Sequence, residues 1–158
     1  MIYGVGVDLI RISRIQRCLD HHGERFAKRV LSELEYLEFA SCANQPRFLA
    51  KRFAAKEAFS KALGTGIAQG LSLRDISVDH DGAGRPFLQC RNQADKLLGR
   101  FRIKASHLSL SDEADYAIAY VTLETGTPAD LGEIYCGGGK SVHFFDHSLR
   151  LRRSGQVR

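Results

Sequence analysis

The chain lacks any apolar run near the roughly 20 residues that a membrane-spanning helix needs. Its first ten residues, MIYGVGVDLI, carry an acid where a secretion signal would be apolar. These absences predict a cytoplasmic protein with no membrane partner. The four cysteines, Cys18, Cys42, Cys90 and Cys136, lie far apart, without the paired spacing of a zinc site or a disulfide framework, so free thiols are expected. Two glycine-rich stretches also fall short of nucleotide-binding motifs. GVGVDL (4–9) lacks the third glycine of the dinucleotide fingerprint, and the basic segment after it is not the acid-bearing strand of a βαβ unit. GTGIAQG (64–70) follows a helical pattern instead of opening one, so the helix dipole there is negative and attracts no phosphate. A phosphate near that turn must be held by side chains, chiefly Lys61, or by a metal.

What is present describes a soluble globular chain. The 158 residues are 44% hydrophobic and 26% charged, enough for one core and too few for two ordinary domains. Net charge is +5, and it is concentrated. Residues 11–29 hold Arg11, Arg14, Arg17, Arg25, Lys28 and Arg29 against Asp20 and Glu24; residues 47–61 hold Arg47, Lys51, Arg52, Lys56 and Lys61 against Glu57 alone. Taken singly, each segment also reads as an ordinary solvated helix face. Two such surfaces together imply an anionic partner: an acidic protein, a polyphosphate or nucleic acid.

The short, β-branched run IYGVGVD (2–8) predicts a strand that ends on Asp8. Ile12, Ile15 and Leu19 recur at helical spacing and predict an amphipathic helix over 11–22 with a basic outer side. Ser32 and Glu35 form a capping-box pattern that opens a helix over 32–44. A third helix follows Pro46 and runs to Leu63, with Gly64 as its stop. The second half predicts strands over 71–79, 85–90, 106–111 and 116–124, with a short helix over 92–101. Alternation puts His107, Ser109 and Ser111 on one face of their strand and Leu108 and Leu110 on the other. Helices early and hairpins late predict an α+β fold with an antiparallel sheet and helices packed on it. From Thr125 the composition shifts to Gly, Pro and Asp and then to a basic end. Residues 125–158 therefore read as an appended, partly disordered extension of open role beside a domain of residues 1–124.

On the third helix Glu57, Lys61 and Gly64 share one face, and Arg52 and Lys56 form a neighbouring row, so the acid and the cations are expected to converge on one ligand. Asp8 alone reads as a turn or capping residue, and Glu57 alone as an i,i+4 ion pair with Lys61. Together, two carboxylates among several cations suit a magnesium ion whose remaining oxygen ligands come from a substrate's phosphates. His107 reads equally as a packing residue and as a ligand contact.

The segments GVGVDLIRISRI, RFLAKRFAAKEAFSKALGTGI, GRPFL and SHLSLSDEADYAIAYV, in that order over residues 1–124, resemble the bacterial holo-acyl-carrier-protein synthases of the 4′-phosphopantetheinyl transferase superfamily. The resemblance implies that family's fold. It also implies transfer of 4′-phosphopantetheine from coenzyme A to a serine of apo-acyl carrier protein, magnesium dependence, and a homotrimer with active sites between subunits. By the same resemblance Asp8 and Glu57 are metal ligands, and Arg52, Lys56, Lys61, Gly64, Thr65, Gly66 and His107 line the coenzyme A site. Arg14 contacts the acidic carrier protein. Lys61 would stabilise the leaving group, and Glu57 or a water would take the serine proton. Asp112 stands where many members carry a second histidine, so a phosphate contact is not carried over to it. Two rival classes explain less. A basic nucleic-acid-binding protein leaves Asp8 and Glu57 without a use and shows no aromatic-rich recognition strand. A magnesium-dependent nucleotide phosphohydrolase is separated by incubation with coenzyme A, magnesium and apo-carrier protein, where free adenosine bisphosphate without carrier would favour it.

Overall fold

Ten residues of alternating burial, Ile2–Arg11, form strand β1 in the computed structural model, which describes residues 1–126. Helix α1 (Ile12–Val30) follows without a linker, its Ile12 N–H donating to the Asp115 carbonyl at 2.8 Å. It is interrupted at Gly23, whose φ of 52° and ψ of −139° suit a residue without Cβ. The helix expected over 11–22 is thus the first limb of a bent element that continues to Val30. Helix α2 (Glu33–Ser41) opens on the expected Ser32–Glu35 capping box. Helix α3 (Gln45–Leu63) starts with Pro46 in its first turn and stops at Gly64 in the left-handed conformation. A 3₁₀ turn (Leu73–Asp75), capped by Ser72, precedes β2 (Ile76–His80) and β3 (Pro86–Cys90), so the strand expected from residue 71 begins five residues later. Helix α4 (Asn92–Arg100) leads to β4 (Ile103–Glu113) and β5 (Tyr116–Thr125). The α+β architecture is as expected. No helix among the described residues is long and apolar enough to cross a membrane. Cys18, Cys42 and Cys90 are free thiols, burial pushing that of Cys90 up to about 12; of the extension expected over 125–158, Thr125 closes β5, and Cys136 with the rest from residue 127 lies outside the described residues.

The main sheet has the order β1-β5-β4, antiparallel throughout, and β2 and β3 form a separate hairpin. Helix α3 packs on one face of the main sheet. Gly4 and Gly6 decide how closely: a Cβ at either would overlap the backbone carbonyl of Ala62 or Ala58 on α3. Small residues meet from both sides, with Ala54, Ala55, Ala58 and Ala62 on the helix and Ala117 and Ala119 on β5 all essentially buried. The glycines of GVGVD thus serve helix-on-strand contact. That contact places Asp8, which pairs with Ala119 in mid-strand and does not end the strand, beneath α3.

One polar group sits inside this core. Glu35, 2% exposed, accepts from Lys56 Nζ and from the backbone N–H groups of Ser32 and Val78, both at 2.9 Å. Lys56, fully buried, also donates to the Val30 carbonyl at 2.7 Å. Arg52 lies 3.6 Å from Glu35 and 3.3 Å from Glu38, its guanidinium over the Phe48 ring. A single carboxylate therefore ties together α2, α3, β2 and, through Lys56, the end of α1. Burial lowers the Lys56 pKa, and the charge and hydrogen bond of Glu35 oppose that.

Candidate active site

Where α3 crosses β1, Asp8, Leu9, Ile10, Arg14, Phe53, Glu57 and Lys61 line a cleft of about 240 Å³. Positions 53, 57 and 61 recur every four residues and so stack along one side of α3. Asp8 points toward α3 because the strand alternation that buries Gly6 and Ile10 carries it to the same face. Lys61 Nζ donates to Asp8 Oδ1 at 2.8 Å and to the Val7 carbonyl at 3.0 Å. Glu57 is half-buried and makes no hydrogen bond or ion pair among the described residues. Burial, and then the charge of Asp8, raise its pKa above the ordinary carboxylate value, against the opposing pull of Lys61 and Arg14. An unpartnered, desolvated carboxylate beside a second one is a good receptor for a cation.

Among the described residues no group of three or more His, Cys, Asp or Glu is placed to hold a metal. A cation at this cleft would have two protein carboxylates and would leave most of an octahedral shell to other oxygens, the economical arrangement of a magnesium site completed by phosphates. The donor set fits that ion. The neighbouring turn has the left-handed Gly64 and Gly66, and Gly66 donates to the Ser60 carbonyl at 3.2 Å. Thr65 Oγ1 bonds only locally, to the Gly66 carbonyl.

The structure brings together Asp8, Arg14, Glu57 and Lys61, with the Gly64–Gly66 turn one helical turn beyond Lys61. It does not bring Arg52 and Lys56 to them. Those two cations face the core, Lys56 bonded to Glu35 and Arg52 to Glu38 beside it, so the expected convergence of all the α3 cations on one ligand is corrected. Helical periodicity gave their row, but only the packing reveals that the row is buried. His107 is also separate. It projects from the sheet face opposite α3, 3.5 Å from Glu124, with Thr122 and Tyr120 beside it in the register. Asp112 is ion-paired with Arg47 at 2.8 Å and Lys51 at 3.1 Å. Sequence reasoning missed Glu35, whose capping-box signature accounted for it completely, and Phe53, which lines the cleft.

Beyond His107, the sheet face turned away from α3 is apolar and open. Val5, Val7 and Leu9 of β1 and Tyr116, Ile118 and Tyr120 of β5 are each 36% to 60% exposed. The strand register lays them side by side, with Val7 opposite Tyr120 and Leu9 opposite Ile118. A contiguous patch of this kind marks an interaction surface.

A family model, the 4′-phosphopantetheinyl transferase superfamily, matches residues 4–121. A Vibrio cholerae protein named holo-[acyl-carrier-protein] synthase is 50% identical over 124 residues, 78% of this chain and 98% of that protein. The crystal structure of holo-[acyl-carrier-protein] synthase from Neisseria meningitidis superposes with a TM-score of 0.76 at 43% identity, over 79% of this chain and 100% of that one. A Bacillus anthracis holo-(acyl-carrier-protein) synthase solved in complex with CoA (3′,5′-ADP) gives 0.67 at 38% identity, over 80% and 99%.

Proposed function

The chain belongs to the 4′-phosphopantetheinyl transferase superfamily, and from that premise we infer that it transfers 4′-phosphopantetheine from coenzyme A to a serine of apo-acyl carrier protein, releasing adenosine 3′,5′-bisphosphate. The observation that carries this reading is the cleft where Asp8, Glu57 and Lys61 meet, in a chain that superposes on a relative in complex with CoA.

Asp8 and Glu57 would hold a magnesium ion, which when bound neutralises charge on the pyrophosphate. The serine oxygen attacks the phosphorus next to pantetheine, the phosphorus–oxygen bond to the nucleotide phosphate breaks, and the serine proton passes to Glu57. Lys61 offers its ammonium to the departing phosphate, and the left-handed Gly64–Gly66 turn leaves room for the nucleotide beside it. Nucleotide release that requires apo-carrier protein separates this reaction from hydrolysis; release at the same rate without carrier would favour a phosphohydrolase.

The exposed basic side of α1 gives the acidic carrier protein its docking surface, with Arg14 at the lip of the cleft. Such contacts steer encounter and weaken as salt rises. Arg14→Glu should raise the KM for carrier protein about tenfold or more while that for coenzyme A changes less than about threefold; equal changes would remove Arg14 from the carrier surface.

A homotrimer gives the open sheet face its cover. A cleft of about 240 Å³ encloses a cation and phosphates and leaves the rest of a coenzyme outside it, where a neighbouring chain would supply further walls. That arrangement also gives His107 a route to the ligand, by bringing one chain's outer sheet face to a neighbour's cleft. A sizing measurement should return the mass of three chains; a monomer at working concentration would contradict it.

A further inference from the structure

Lys61 occupies Asp8. Its ammonium bonds Asp8 Oδ1 and the Val7 carbonyl, so two acceptors on one strand hold it. Asp8 is the fixed partner, its side chain 15% exposed in mid-strand, and Lys61 the adaptable one, at 51% exposed on a four-carbon stem. A divalent cation that binds between Asp8 and Glu57 has to approach the carboxylate whose Oδ1 Lys61 holds. An ammonium and a dication a few ångströms apart repel, so cation binding at Asp8 is opposed for as long as Lys61 stays on Oδ1.

We propose that Lys61 is a resident counter-ion of the site: it must leave Asp8 before a divalent cation enters, and the pyrophosphate of coenzyme A provides the anion to which it moves. Cation and nucleotide therefore load together, and the free protein holds the cation weakly. The bonds Lys61 gives up to Asp8 and Val7 are replaced by bonds to phosphate oxygens. Glu57 needs no such exchange, because it has no bonded partner among the described residues. This inference rests on the reading of Asp8 and Glu57 as metal ligands.

The test uses Mn²⁺ alone as probe, its free concentration read by electron paramagnetic resonance, at a pH where carboxylates are ionised and without coenzyme A. Lys61→Met should bind Mn²⁺ about tenfold more tightly than the parent, the scale of a charge-assisted bond that no longer has to be broken. Arg14→Met removes an equal charge from the same cleft without touching a bond to Asp8 and should tighten binding less than about threefold. Saturating coenzyme A should then improve Mn²⁺ affinity more in the parent than in Lys61→Met. Unchanged affinity in Lys61→Met, equal tightening in the two variants, or an equal gain from coenzyme A would each overturn the proposal. Asp8→Asn separates the two levels of the argument. If it binds Mn²⁺ as the parent does with coenzyme A present, Asp8 is no ligand and the reading beneath the proposal fails. If it binds weakly while Lys61→Met shows no gain, Asp8 stands as a ligand and only the exchange by Lys61 is lost.

Discussion

Glu57→Gln is expected to fold normally and to lose about 10²- to 10⁴-fold in turnover, the range for removing a positioned proton acceptor. The amide has the size of the acid, and Glu57 makes no hydrogen bond or ion pair among the described residues that the change would break. Stability should even rise slightly in the metal-free protein. Burial and Asp8 hold the folded Glu57 pKa above its unfolded value, so folding disfavours the ionised form. That penalty is present above the folded pKa and vanishes as pH falls below the unfolded one. The advantage of the glutamine variant should therefore be seen at neutral pH and disappear in acid. Near-normal transfer by this variant, measured by steady-state kinetics, would take Glu57 out of the chemistry.

Glu35→Ala is expected to destabilise the protein by about 3–5 kcal/mol, the cost of leaving a buried charge without its partner. Lys56 would keep only the Val30 carbonyl, and the Ser32 and Val78 N–H groups would lose their acceptor. Lys56→Met should cost less, because Glu35 retains both backbone donors and Arg52 and the methionine stem fills the apolar part of the site. Urea denaturation reads both values; a loss below about 1 kcal/mol for Glu35→Ala would show that the network does not carry the packing of α2, α3 and β2. The same Lys56→Met protein should keep its KM for coenzyme A within about twofold, since Lys56 faces the core and not the cleft.

How much of this was legible in the sequence depends on whether the signal is local. Helix α3, its proline start and its glycine stop follow from neighbouring residues, and so does the face that Glu57 shares with Lys61. The capping box at Ser32 was equally legible, yet it hid the larger role of Glu35, because Lys56 lies 21 residues away in sequence and Val78 lies 43 away. Lys56 and Arg52 looked like surface cations for the same reason: periodicity gives direction around a helix, while depth is set by what packs against it. The missing third glycine correctly argued against a dinucleotide fold, but the use of Gly4 and Gly6 emerged only with α3 against β1. Alternation placed His107 and Leu108 on opposite faces, as they are; that the His107 face points away from Asp8 is a property of the sheet as a whole.

The intact mass of apo-acyl carrier protein, taken after incubation with this protein, coenzyme A and magnesium, tests the central claim most directly. The account predicts a gain of one phosphopantetheinyl group, matched by an equal amount of adenosine bisphosphate and lost with a chelator or with Glu57→Gln. An unchanged carrier mass, or an equal gain with Glu57→Gln, would contradict it.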